Sequence, residues 1–241
     1  MKLKSFLKYL FFLMLIVSLA FLYGFSKKRN SVKKVAQISV EFEDGTNHFL
    51  THAMVDKLLI QNNETIRNKA KSLIDLYKLE EYVISNPYIE KARVFLTIDG
   101  IVKAIVKQRT PVARLLTDNG SYYIDKQGVK VPLAESYSAR VMLISGVQTD
   151  KEIAVTLPLI NSILEDSFLK NEVVGIKKYA DDEYEFSVRS GDYKIDFGKL
   201  EDSAIKFKKI KAFYNTTFKD KTIQNYKTIN VKYHNQVVCS K

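Results

Sequence analysis

With 241 residues, 46% of them hydrophobic, and only nine glycines and four prolines, the chain carries enough apolar side chains for one or two packed domains, which excludes a disordered or collagen-like protein. The formal net charge of +11 suggests nucleic acid at first sight, but residues 1–40 hold eight Lys/Arg and no acid, so the body is left nearly balanced with 30 basic and 27 acidic residues. The single cysteine, Cys239, excludes an internal disulfide and a cysteine-built metal cluster.

Taken from the start, Tyr9 to Phe25 is an uncharged run of Leu, Phe, Ile, Val and Met, long enough for one bilayer crossing. A cleaved signal sequence is the rival reading, but its apolar core is usually about 7–15 residues long. The small residues around Ser18-Leu19-Ala20 are also followed by further apolar residues instead of a mature N-terminus. A retained anchor is therefore expected at 9–25, with a short tail at 1–8 and a basic stalk at 26–34. Lysines flank the run on both sides, so charge counting does not orient it. The basic excess sits where anionic lipid head groups would be.

A first strand is expected over Val35–Phe42, with Ile38, Val40 and Phe42 on one face, and Asp44-Gly45 as a turn. Thr46 or Asn47 is positioned to cap a helix whose apolar face runs through Phe49, Leu50, Ala53, Met54, Leu58 and Leu59. His48, His52 and Asp56 fall at i, i+4 spacing on that helix, a ligand-like row. Phe49 stands where a metalloprotease motif has its glutamate, so a solvated helix face is the simpler reading. A second helix over Asp75–Ser85 ends at Asn86-Pro87, because the residue before proline is pushed out of helical space. Ala92–Ile98 and Ile101–Gln108 then form a hairpin, with Asp99-Gly100 as a tight two-residue turn and Pro111 marking where pairing stops.

Beyond Pro111 the pattern is mainly β, with strands at 113–116, 122–125, 140–144, 173–178, 183–188 and 193–197. Ile153–Leu164 is an amphipathic helix unless Pro158 forces its start, and Leu200–Phe213 is a basic amphipathic helix. Its lysines, Lys206, Lys208, Lys209 and Lys211, form either a solvated face or a site for an acidic partner. Segments 228–233 and 236–238 close the chain as β. No nucleophile elbow, phosphate-binding loop or dinucleotide fingerprint occurs, so no catalytic, cofactor or metal residue is assigned. The fold class is α+β: an N-terminal transmembrane helix, a strand-helix-helix-strand-strand domain over 35–110, and a β-rich domain with flanking helices over 111–241.

The order strand-helix-helix-strand-strand just outside one anchor looks like a POTRA domain. Leu79-Glu80, Asn86-Pro87-Tyr88-Ile89, Ala92-Arg93-Val94, Gln108-Arg109-Thr110-Pro111-Val112-Ala113-Arg114, Tyr123-Ile124-Asp125 with Gly128, and Ser145-Gly146 then follow in an order and spacing that resembles the FtsQ/DivIB cell-division proteins. The chain departs from some members in having no tryptophan and in ending Cys-Ser-Lys. The resemblance implies a non-enzymatic scaffold in the inner membrane at the division septum, with its N-terminus in the cytoplasm and its body in the periplasm. It also implies partners among the FtsB/FtsL-like small coiled-coil proteins and other divisome membrane proteins, and no nucleic acid. A POTRA protein of polypeptide export or outer-membrane assembly is the alternative, although some 130 residues with interspersed helices leave no room for the barrel that class carries.

The expected docking segment is the last β region. Ile229, Val231 and Tyr233 alternate to one side, Val237 and Val238 extend the apolar stretch, and a strand at a chain end leaves an edge unpaired. The resemblance places Tyr233 and Asn235 on the partner-contact strand, with Gln236 to Val238 beside them. The competing possibility is that this strand completes the sheet and its apolar face is core.

Overall fold

The computed structural model describes residues 2–43, 45, 48–61, 70–217, 219, 222–234 and 236–241, without the side chains of residues 2–5, 31, 32 and 61. The chain divides into two compact units, Met1–Gln108 and Arg109–Lys241.

The first unit begins with α1, Lys2–Val32, whose apolar stretch Phe6–Asn30 has a mean hydropathy of 2.2 and buries nothing against the protein. The stalk expected after Phe25 does not separate from it, because Ser26 to Val32 contains neither proline nor glycine and its Lys/Arg residues are good helix formers. A three-stranded sheet follows, built from β1 (Gln37–Phe42), β2 (Ile89–Leu96) and β3 (Ile101–Gln108) in the order β1-β3-β2. β1 runs parallel to β3 from Gln37 opposite Ile101 to Phe42 opposite Val106, while β2 and β3 pair antiparallel. The helices α2 (His52–Gln61) and α3 (Leu76–Ile84) supply Val55, Leu59, Leu79 and Val83, which are buried together with Ile89, Val102, Ala104 and Val106. Asp75 caps α3, its carboxylate accepting from the Lys78 amide at 3.1 Å.

Two local expectations change. The cap at Thr46 or Asn47 lies outside the described residues, and α2 starts instead behind Thr51, whose hydroxyl accepts from the Met54 amide at 3.3 Å. Phe49 and Leu50 are kept out of the helix by the buried Gln108, whose Oε1 accepts both their amides at 3.0 Å while its Nε2 donates to the Leu50 carbonyl at 2.7 Å. His48 therefore precedes the helix, and the row His48, His52, Asp56 does not share one helix face; His52 packs edge-on against Phe42 at 4.6 Å. In the hairpin, the loop is three residues and not two. Thr97 bonds Ile101 through both backbone (2.9 Å) and hydroxyl (3.0 Å), and Gly100 takes φ +94° after a bond to Thr97 at 3.2 Å. This is the longer hairpin whose last loop residue favours glycine.

The second unit holds a nine-stranded sheet made of β4 (Pro111–Thr117), β5 (Gly120–Asp125), β6 (Lys130–Val131), β7 (Met142–Ser145), β8 (Val173–Lys178), β9 (Tyr184–Val188), β10 (Lys194–Gly198), β11 (Thr228–Asn230) and β12 (Val238–Ser240). Their order across the sheet is β12-β11-β10-β9-β8-β7-β4-β5-β6. Pro111 does not end pairing: β3 has already ended at Gln108, and Pro111 opens β4 opposite Asp125, a first position where a missing N–H is tolerated. Asp125 is nearly buried and accepts from Arg109 at 2.6 Å and from the amides of Gln127 and Val129 at 2.9 Å, which fixes the β5–β6 turn.

The helices α4 (Asp150–Glu165) and α5 (Ser167–Glu172) carry the chain from β7 to the parallel β8, and α6 (Ser203–Thr217) carries it from β10 to the parallel β11. Pro158 lies inside α4 and not at its start; it is on the exposed side, where water can reach the carbonyl it leaves unpaired. A capping box begins α4: the Thr149 hydroxyl accepts from the Glu152 amide at 3.3 Å, and Glu152 accepts from the Thr149 amide at 3.0 Å. The short α5 was not legible from periodicity because it is held by its cap, Asp166, which accepts from the amides of Phe168 and Leu169 at 3.0 Å. Ile144, Ile160, Ile176, Phe186, Ile195, Phe197, Ile210 and Ile229 are among the core residues between these helices and the sheet.

Two outcomes test this account. Gln108→Leu removes the partner of three buried backbone groups and should destabilise the first unit by about 3 kcal/mol or more, read from denaturant midpoints. The amides of Gln148 and Thr149, then Lys178, hold the Glu152 carboxyl down from 4.5 to about 2. A depressed carboxyl stabilises above its unfolded value, so this contribution should disappear as pH falls from 4.5 towards 2, and Glu152→Gln should flatten that part of the stability profile.

Candidate docking edge at the last strand

The sheet of the second unit has two ends, and they differ. At one end β6 is two residues long and is blunted by Lys130, which pairs with Asp150 at 2.7 Å and lies over the Tyr122 ring at 5.1 Å. At the other end β12 folds back antiparallel on β11, placing Ser240 opposite Thr228, Cys239 opposite Ile229 and Val238 opposite Asn230. The hydroxyls of Thr228 and Ser240 bond each other across this pair. Among the described residues, no strand pairs with the outer side of β12.

The predicted docking residues divide between core and surface. Ile229 and Val231 are fully buried and Val237 packs on the core, because β11 sits between β10 and β12 and its inward face is covered. Ile229 and Val231 offer no side chain to a partner, and Val237 is half-buried. Tyr233 is 51% exposed, Gln236 is exposed and Val238 is 43% exposed, so the accessible surface reduces to those three; Asn235 lies outside the described residues. The strands expected over 228–233 and 236–238 are shorter and shifted: β11 ends at Asn230 and β12 starts only at Val238, running through Cys239 and Ser240, which periodicity did not reveal in so short a segment. Cys239 faces inward, and burial raises its thiol above the ordinary value, which disfavours the reactive thiolate.

What fixes this edge is a set of side chains whose roles composition could not assign. Lys209 on α6 donates to the carbonyls of Val231 at 2.6 Å and Tyr233 at 2.5 Å, pinning the chain as it leaves β11. Lys232 pairs with Glu183 and Asp196, each at 2.9 Å, and those two bonds raise its pKa. Asn230 donates to the same Asp196 at 2.9 Å. The Lys232 stem crosses Gly198, where a Cβ would come within 2.4 Å of its Cγ, so a glycine at φ +70° leaves the room this bridge needs.

The lysines of α6 are thus neither a solvated stripe nor an open acidic-partner site. Lys206 is buried, donates to the Lys199 carbonyl at 2.5 Å and lies 5.1 Å from the Phe197 ring; burial lowers its pKa. Lys211 pairs with Asp166 at 2.6 Å, and only Lys208 is fully exposed. A separate recess of about 510 Å³ in this unit is lined by Lys126, Arg140, Lys170, Arg189, Thr110 and apolar residues, without a carboxylate, imidazole or thiol. No group of three or more His, Cys, Asp or Glu able to hold a metal occurs among the described residues.

A family model described as FtsQ/DivIB, C-terminal related, matches residues 110–240, and a POTRA-like domain model matches residues 33–107. No curated protein matches the chain.

Because Lys209 is the cation on two carbonyls, Lys209→Ala should accelerate amide hydrogen exchange across residues 229–240 by about tenfold, the loss expected for a charge-assisted bond. Exchange in the first unit should be unchanged.

Proposed function

The chain belongs to the FtsQ/DivIB family of cell-division proteins, a non-catalytic scaffold family, and from that premise we propose that it is a single-pass divisome scaffold that recruits other membrane proteins and helps control septal peptidoglycan synthesis. The observation that carries this reading is the outer side of β12, which pairs with no strand among the described residues, with Val238 exposed on it and Tyr233 and Gln236 exposed beside it. A partner strand added there would bond the backbone of β12, with Tyr233 and Val238 giving selectivity. The partners proposed are FtsB/FtsL-like small coiled-coil proteins, with other divisome membrane proteins joining the same assembly. In this reading α1 crosses the inner membrane at the septum, the N-terminus is cytoplasmic and the two units lie in the periplasm. The match over residues 110–240 favours this over a POTRA protein of export or outer-membrane assembly.

Tyr233→Ala and Val238→Lys change exposed side chains and should leave circular dichroism unchanged while weakening capture of a co-expressed FtsB/FtsL pair by about tenfold or more, as for residues at the centre of an interface. Folded variants that capture the pair normally would sink the docking assignment. Protease added to spheroplasts should digest the body; digestion only after cell disruption would reverse the orientation.

A further inference from the structure

The tip of the β2–β3 hairpin is an apolar point held against the exit of the membrane helix. Ile98 is 83% exposed and Leu73, in the neighbouring turn, is 75% exposed. Both lie on a braced part of the chain. Lys71 donates to the carbonyls of Thr97 at 2.9 Å and Ile98 at 2.7 Å, and its amide bonds the Lys33 carbonyl at 2.9 Å. Lys34 pairs with Ala70, and the Ala36 amide bonds the Gly100 carbonyl at 2.9 Å. A Cβ on Gly100 would come within 2.8 Å of the Lys34 carbonyl, so the hairpin tip and the helix exit touch backbone to backbone.

Depth follows from helix geometry. At about 1.5 Å per residue, the uncharged run Tyr9–Phe25 spans about 25 Å, most of a hydrocarbon core of about 30 Å. Ser26 to Asn30 then occupy the next ~8 Å, which is the head-group layer. A cleft of about 550 Å³ opens at this level between the last turns of α1 and the hairpin tip. Tyr23, Ser26, Lys27, Arg29, Asn30 and Lys33 line it together with Ile98, and the Lys33 ammonium donates to the Ile98 carbonyl at 3.5 Å. Among the described residues, no carboxylate pairs with Lys27, Arg29 or Lys33, and the acid of the tip, Asp99, is not in the lining.

We propose that this cleft binds the phosphate head group of an anionic phospholipid in the leaflet on the side of the body, while Ile98 rests at the acyl-chain boundary. The occupant is a lipid because α1 already places the cleft at the membrane surface, and its three cations supply charge that a zwitterionic head group satisfies less well. Arg29 offers a planar fork to phosphate, and Tyr23 suits the interface. The contact would make the first unit rest on the bilayer instead of swinging from a free stalk. It rests on the spanning assignment of α1 but not on which way the helix points.

The test uses the full chain with Cys239→Ser as background. A polarity-sensitive fluorophore is attached at Ile98→Cys or, separately, at Ile16→Cys, in nanodiscs of phosphatidylcholine alone or of equimolar phosphatidylcholine and phosphatidylglycerol containing a quencher on the lipid. Label at position 16 should be quenched in both compositions. Label at position 98 should be blue-shifted and quenched, several-fold more with phosphatidylglycerol, and each of Lys27→Gln, Arg29→Gln and Lys33→Gln should lower that gain by about fivefold at most. Hydrogen exchange of residues 97–100 in the unlabelled chain should slow with the anionic lipid in parallel. An aqueous signal at 98 with quenching at 16 overturns the proposal alone, as does equal quenching at 98 in the two compositions. Absence of quenching at 16 overturns the spanning assignment, and the proposal with it.

Discussion

Every buried backbone N–H and C=O must find a partner, and the places where regular structure cannot provide one explain most of what is distinctive in this chain. In the membrane, α1 meets the demand with its own ladder. In the first unit, Phe49 and Leu50 have left strand and helix alike, and a single glutamine side chain at the end of β3 serves three of their groups. In the second unit, the carbonyls of Val231 and Tyr233 lie beyond the last turn of pairing with β10 and are met by Lys209. Among the described residues no strand pairs with the outer side of β12, and water or another strand must complete it.

That remaining edge is held from several directions. Lys209 comes from α6, Asp196 from β10 and Glu183 from the turn before β9, so three elements converge on residues 230–233. Behind them, Tyr193 donates to Tyr214 at 2.8 Å and Tyr214 to Glu172 at 3.0 Å, tying β10's entry and α6 to the end of α5. Burial raises both tyrosines, so they remain neutral hydrogen-bonding groups. A partner adding a strand would meet a prearranged edge and would not have to order it, which lowers the entropy cost of binding.

Charge is distributed by task. The body is near balance in count, and several of its cations are paired internally: Lys178 bridges Glu152 and Asp182, Lys232 bridges Glu183 and Asp196, and Lys211 holds Asp166. The unbalanced cations flank the apolar run of α1, three before it and five after it. Of the total of +11, residues 1–40 carry +8 and the body +3.

Pattern with a fixed period was legible directly. The apolar run of α1, the period-two alternation of β3 and β8, and the helix stop at Asn86-Pro87 are local properties, so the α+β class and the strand-helix-helix-strand-strand order follow from the sequence. Position within a sheet is not local. Ile229 and Val231 alternate like an exposed edge but are buried because β12, seven residues on, takes the edge instead. The α6 lysines read as a charged face, yet three are consumed by carbonyls and a carboxylate from distant segments. His48 and His52 have helical spacing, and a glutamine some sixty residues away keeps the first of them out of the helix. Sequence determined which segments are apolar, helical or extended, because those depend on neighbours along the chain; tertiary structure decided which strand ends the sheet and which charges stay free, because those depend on partners brought together only by folding.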